Sequence, residues 1–153
     1  VKKIYPDTQF IVLGAIDHQN LGALKQNELD ALIDSHIIHY PGYVNNIKDW
    51  IADSHIFVLP SYREGVPRST QEAMAIGRPI ITTDVPGCRE TIVDGLNGFI
   101  VPKWNPEALA EKMIYFIEHP KQIPLMGIES HRIAIEKFDS DKVNEKLIKI
   151  LGL

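Results

Sequence analysis

Two glutamates stand out for the chemistry they could do together. Glu64 falls in a loop after the apolar run Ile56–Leu59, and Glu72 falls eight positions on, where the sequence predicts a helix. An ionised carboxylate accepts charge-assisted hydrogen bonds and opposes positive charge developing on a nearby reacting atom. Each acid also has a plainer account. Ser69-x-x-Glu72 has the spacing of a capping box, in which the glutamate returns to the backbone N–H of the cap. Glu64 alone reads as a solvated loop acid, the common situation for that residue type.

The surrounding elements decide where the pair can point. Ile56–Leu59 stops at Pro60 and reads as a buried strand. A loop with Gly65 and Pro67 follows, then a helix ending at Gly77, which suits the left-handed residue past a helix end. Pro79–Thr82 starts the next strand, so strand, loop, helix and strand form one βαβ unit. Ligands of such units collect at the carboxyl ends of strands, where helix amino ends offer N–H groups to anions. Glu64 sits at such an end. In its loop Gly65, Val66, Arg68 and Ser69 can turn backbone N–H groups toward a ligand, whereas Pro67 has none. Gly65 adds no Cβ to block close approach.

The rest of the chain repeats this alternation. Gln9–Gly14 reads as a buried parallel strand closed by Gly14, and Ala15–Lys25 as loop. Gln26–Asp34 is a short amphipathic helix, and Ile37–Tyr40 a strand ended by Pro41–Gly42. A helix runs from Asn45 or Asn46 to about Ala52. Arg89–Val93 fits either a short helix or a strand, and Gly98–Val101 is a further strand. Asn105–Pro106–Glu107 has cap, first-turn proline and first-turn acid in order, so a helix starts there. Two more helices, about Ile123–Lys137 and Asp141–Leu151, close the chain. The expected fold is α/β and Rossmann-like, a parallel sheet with helices on both faces. In that fold Gly14 and the Pro41–Val44 loop end strands beside the central one and flank its crevice, although Pro-Gly also serves an ordinary turn.

Composition narrows the class. With 153 residues, 44% hydrophobic and 24% charged, the chain has the size and balance of one globular domain. A net charge of −4 argues against a general nucleic-acid binder. No apolar run approaches the ~20 residues of a membrane helix, and a single cysteine, Cys88, fits a reducing compartment. The expected location is the cytoplasm. Val1–Tyr5 reads like the last turn of a helix cut by Pro6, as in a piece of a longer protein.

The motif E-G-x-P-x-x-x-x-E-A-M-A-x-G-x-P-I, from Glu64 to Ile80, resembles the donor-site motif of retaining glycosyltransferases with the GT-B fold, family 4 in particular. The resemblance continues through Thr82–Glu90 and Asp94–Val101. It implies that the chain is most of the carboxyl-terminal, donor-binding domain, one half of a GT-B architecture, with the amino-terminal acceptor domain absent. It implies that Glu64 holds hydroxyls of the donor sugar and is catalytic in a positioning and electrostatic sense. Glu72 would accept from the ribose hydroxyls, which suits a carboxylate because it can take two vicinal hydroxyls at once. Gly65, Val66 and Pro67 would line the donor, and Gly14, Tyr43 and Val44 would face the base. Arg68 invites a diphosphate-clamp role, but both it and Arg63 read better as solvated surface arginines. The donor would be a nucleotide-sugar, most often a UDP-sugar, taken as substrate, with no cofactor and no metal. The acceptor would be a glycan or lipid-linked sugar, which puts the full-length protein at the inner membrane face. The family's Arg and Lys that clamp the diphosphate would precede Val1, so this piece is expected to bind UDP weakly and to lack transferase activity. Two other readings stay open: a non-catalytic α/β nucleotide-binding module, and a GT-B relative such as a sugar-nucleotide epimerase.

Three patterns are discounted. Asp139–Ser140–Asp141 spells D-x-D but precedes an amphipathic helix, as an N-cap would. His36 and His39 would point to opposite faces of one strand. Cys88 has no C-x-x-C partner.

Overall fold

The computed structural model describes residues 1–16 and 23–152, which fall into two compact units, Val1–Ile47 and Lys48–Leu153. The parallel strands expected of an α/β chain are present as a pair in the first unit and a trio in the second.

In the first unit, β1 (Ile11–Leu13) pairs in parallel with β2 (His39–Gly42), and α1 (Gln26–Asp34) lies between them in sequence. The expectation of a buried first strand does not hold: Ile11 is 36% and Val12 43% exposed. Strand-forming composition reports what fits a pleated surface, and both faces of this strand are not covered. β2 also starts later than expected and runs through Pro41 and Gly42. A register shift between the Ile11–His39 and Leu13–Gly42 pairs accompanies the proline, the usual setting for that residue in a ladder. His36 precedes β2 and His39 begins it, so the two do not share a strand. The expected 15–25 loop falls in part on residues 17–22, outside the described residues.

The second unit opens with α2 (Ile47–Asp53), whose first residue is the last of the unit before it. Strands β3 (Phe57–Leu59), β4 (Ile80–Thr83) and β5 (Gly98–Val101) then pair in parallel in the order β3-β4-β5, in register from Phe57–Ile80 to Thr83–Val101. Helix α3 (Arg68–Ala75) joins β3 to β4. It ends where the sequence places it, with Gly77 at φ 81° donating its N–H to the Met74 carbonyl. A short helix, α4 (Pro86–Arg89), follows β4. It takes in only Arg89 of the segment that fits helix or strand by sequence; residues 90–93 are turn and irregular chain, so neither expectation holds there.

All four residues of β4 are buried. Ile81 joins Phe99, Val101, Phe116 and Met126 in one core cluster, in which the Phe99 and Tyr115 rings meet edge to face at 4.9 Å. Period two turns Ile80 and Thr82 to the opposite face, and they too are fully buried, so the central strand is covered on both sides. Helix α5 (Pro106–Glu118) supplies Phe116 and starts as its sequence predicts, with Asn105 Oδ1 accepting from the Ala108 N–H at 2.9 Å. Helix α6 (Gln122–Lys137) packs against α3. Helix α7 (Ser140–Leu151) is capped by Asp139, whose Oδ1 accepts from the N–H groups of Asp141 and Lys142. The D-x-D is therefore a helix cap. Among the described residues no group of three His, Cys, Asp or Glu side chains could hold a metal ion, and no helix is long and apolar enough to cross a membrane.

Candidate functional site

The loop leaving β3 runs straight into α3. Pro67, extended at φ −65° and ψ 123°, occupies the N-cap position, and no side chain caps the helix. Ser69 is thus inside the first turn, and the capping-box account of Glu72 fails: with Pro67 at the cap the serine comes two positions too late. The Glu72 carboxylate makes no hydrogen bond or ion pair among the described residues. It stands on the wall of an open cleft of ≈ 440 Å³, with Arg68, Gln71 and Ala75 of α3 beside it and Ile135 of α6 and Phe138, just past that helix, among the other lining residues. The uncapped first turn of α3 adds N–H groups that have no acceptor inside the helix.

Glu64 does not line that cleft. It sits four residues ahead of α3, half-buried, with its Oε1 accepting from Ser61 Oγ at 2.7 Å. The loop around it is fixed from β4: Thr83 Oγ1 donates to the Ser61 carbonyl, and Thr82 Oγ1 donates to the Leu59 carbonyl at 2.9 Å. It is fixed again from α4. A Cβ placed on Gly87 would lie 1.2 Å from the Gly65 carbonyl oxygen and 2.5 Å from that of Glu64, so only glycine allows this approach. Gly65 itself faces open space, Val66 is exposed, and Pro67 is buried.

Cys88 follows Gly87 and is fully buried. Burial pushes its thiol up, the Glu64 charge adds to the rise, and hydrogen bonds with Thr82 and Thr83 oppose it. A thiol held in its protonated form is a poor nucleophile, in keeping with the sequence reading. Where the chain leaves β4, Asp84 pairs with Arg89 at 2.6 Å, and that hydrogen bond holds its carboxyl below the usual range. Both side chains are about half exposed, so the pair adds little to stability.

Tyr62, two residues before Glu64, stacks on Trp104 with ring centroids 3.6 Å apart. Trp104 is 72% exposed and has φ 60°, a backbone conformation uncommon for a bulky residue. Ser61, Thr83, Gly87 and this aromatic pair are the members of the site that the sequence reading misses. Ser61 and Tyr62 carry a local signal, within three residues of Glu64; Thr83, Gly87 and Trp104 meet the loop across long separations. Arg63 and Arg68 are exposed, as expected.

In the first unit, Gly14 (φ 125°) ends β1 and is tied to β2: its N–H donates to the Gly42 carbonyl at 2.9 Å, and its carbonyl accepts from Tyr40 OH at 2.6 Å. Tyr43, 77% exposed, and half-buried Val44 follow β2. Gly14 and the start of the 43–44 loop are therefore brought together at the carboxyl ends of their strands.

A family model described as "Glycosyl transferases group 1" matches residues 1–119. The capsular polysaccharide biosynthesis glycosyltransferase CapM of Staphylococcus aureus is 33% identical over 133 residues, covering 87% of this chain and 33% of that protein. The chain spans about a third of the length of the curated relatives it matches. Among solved structures, HepE of Anabaena in complex with UDP superposes with a TM-score of 0.87 at 21% identity, over 96% of this chain and 41% of that one. The C-terminal domain of a glycosyl transferase group 1 family protein, LpcC of Francisella tularensis, gives a TM-score of 0.79 at 25% identity, over 91% of this chain and 74% of that one.

Proposed function

The chain belongs to the group 1 glycosyltransferases and has the fold of a GT-B carboxyl-terminal domain, and from that premise we propose that it is the donor-binding half of a retaining enzyme that moves a sugar from a UDP-sugar to an acceptor hydroxyl in glycan biosynthesis. One observation carries this reading. Helix α3 opens directly after the Glu64 loop with no side chain in its cap, and Glu72 stands one turn in with its carboxylate unengaged among the described residues. An uncapped helix start suits a diphosphate, and a carboxylate on the same helix suits the two ribose hydroxyls. Glu64, held by Ser61 through one oxygen, keeps Oε2 for a hydroxyl of the transferred sugar. The exposed Gly65 and Val66, with Pro67, line the donor.

In the reaction the bond from the anomeric carbon to the diphosphate oxygen breaks, and UDP leaves. The acceptor oxygen bonds to the same face of that carbon, and its proton passes to the departing diphosphate oxygen. The passing state resembles an oxocarbenium ion, so a fixed carboxylate at Glu64 stabilises it more than the uncharged sugar ring of the bound donor. The departing negative charge is met by the amino end of α3 together with cationic groups from the remainder of the full-length protein, a scheme that calls for no metal. By itself this chain is proposed to bind UDP weakly and to lack transferase activity.

Ligand-observed NMR with UDP tests the ribose role. Glu72→Ala should weaken binding by about 10- to 150-fold, the equivalent of losing charged hydrogen bonds worth about 1.5–3 kcal/mol. Equal binding by both proteins overturns the assignment. In the full-length protein Glu64→Ala should cut turnover while leaving UDP binding intact, and unchanged turnover removes Glu64 from the mechanism.

A further inference from the structure

We propose that Ser61 is the positioning residue for Glu64, and that Thr83 holds Ser61 in place, so that β4 sets the orientation of the carboxylate facing the donor sugar. The inference rests on the proposed role of Glu64 and deepens it. A glutamate in a loop has three side-chain torsions to settle, and its carboxylate plane is set by the softest of them. Here the Ser61 hydroxyl donates to Oε1 at 2.7 Å, which fixes one oxygen and leaves the other for a ligand. Ser61 can do this only if its own backbone is held. Its carbonyl accepts from Thr83 Oγ1, and Thr83 is 3% exposed at the end of the fully buried strand β4. The neighbouring Thr82 hydroxyl ties Leu59, so two successive threonines of β4 brace the exit of β3. The α4 turn closes the loop from the other side, with Gly87 against the Glu64 and Gly65 carbonyls. The orienting bond is thus anchored in the buried central strand of the unit, not in the loop. Holding a reacting group in its productive geometry before the donor arrives is a source of rate, and misplacement of about 1 Å can cost on the order of 100-fold.

The arrangement predicts a signature that a purely structural serine would not give. In the full-length protein, UDP release from UDP-glucose, UDP-galactose and UDP-N-acetylglucosamine is followed, and the donor that the unaltered protein turns over fastest is used for all variants. Ser61→Ala should lower kcat by roughly 10-fold, with the KM for donor and the Kd for UDP unchanged. Ser61→Thr, which keeps the hydroxyl, should restore kcat. Thr83→Val should lower kcat in the same direction. In a Glu64→Ala background neither change should reduce turnover further, because the group they orient is gone. Losses that multiply with Glu64→Ala, or a Ser61→Ala protein with full kcat, overturn the proposal. Turnover that survives Glu64→Ala, or release of UDP from none of the three donors by the unaltered protein, instead defeats the functional reading on which it stands.

Discussion

Replacing Gly87 by alanine puts the contact between α4 and the Glu64 loop under direct test. The added Cβ would sit 1.2 Å from the Gly65 carbonyl oxygen, 2.3 Å from its carbon and 2.5 Å from the Glu64 oxygen. Ordinary contact begins near ~3.5 Å, so one segment must retreat by about 2 Å. The obstructing atoms are backbone on both sides, with no flexible side chain to swing away. Overpacking of this kind costs about 1–3 kcal/mol, occasionally more. At about 2–4 °C per kcal/mol for a chain of this size, melting should fall by about 2–12 °C. The same retreat exceeds the slack in the 2.7 Å Ser61–Glu64 bond, so turnover of the full-length protein should drop on the order of 100-fold. Gly65→Ala is the matched control. Its Cβ would meet nothing within 4 Å, so melting followed by circular dichroism should match the unaltered protein while donor binding weakens. A Gly87→Ala protein with unchanged melting and turnover refutes the reasoning, and so does a Gly65→Ala protein that melts as early as Gly87→Ala.

Two further changes address α4 and the turn that follows it. Asn97 is fully buried, its Oδ1 accepting from the Val93 N–H at 2.7 Å and its Nδ2 donating to the Thr91 carbonyl at 3.2 Å. Asn97→Ala strands both backbone groups and should cost about 1–3 kcal/mol; an unshifted urea midpoint would show that water or a rearranged turn satisfies them. Cys88 should react slowly with Ellman's reagent at pH 8 in the native protein and fully in urea, and fast native labelling would show that the thiol is reached without unfolding. Because burial raises the folded thiol above the unfolded value of about 8.5, its share of stability is complete below that pH and fades as pH rises through the folded value. Cys88→Ala should flatten that alkaline decline.

What the sequence makes legible is what local chemistry encodes. The helix from Asn105, the cap at Asp139 and the stop at Gly77 each depend on residues within one turn, and the structure has all three. The order of strands and helices around Glu64 follows for the same reason. Coverage is not local. Gln9–Gly14 has strand composition, yet which of its faces meets other residues depends on chain far from it, and Ile11 and Val12 remain exposed. The capping-box pattern misleads because Pro67 takes the cap two residues before Ser69, a choice that the spacing alone does not expose. Pro41–Gly42 reads as a strand break, whereas a register shift keeps both in β2. The braces on Glu64 escape entirely: Thr83 reaches Ser61 across 22 residues, and Gly87 meets Gly65 only once α4 is folded onto the loop.

The Tyr62–Trp104 stack gives the molecule an internal optical gauge. Trp104 is one of two tryptophans, and its indole lies flat against a ring two residues from Glu64. Indole emission depends on stacking and on contact with water, so any shift of that loop as a ligand enters alters the light from Trp104. With Trp50 changed to phenylalanine the signal has one source, and any response of the loop to a ligand can be followed in solution without attaching a dye.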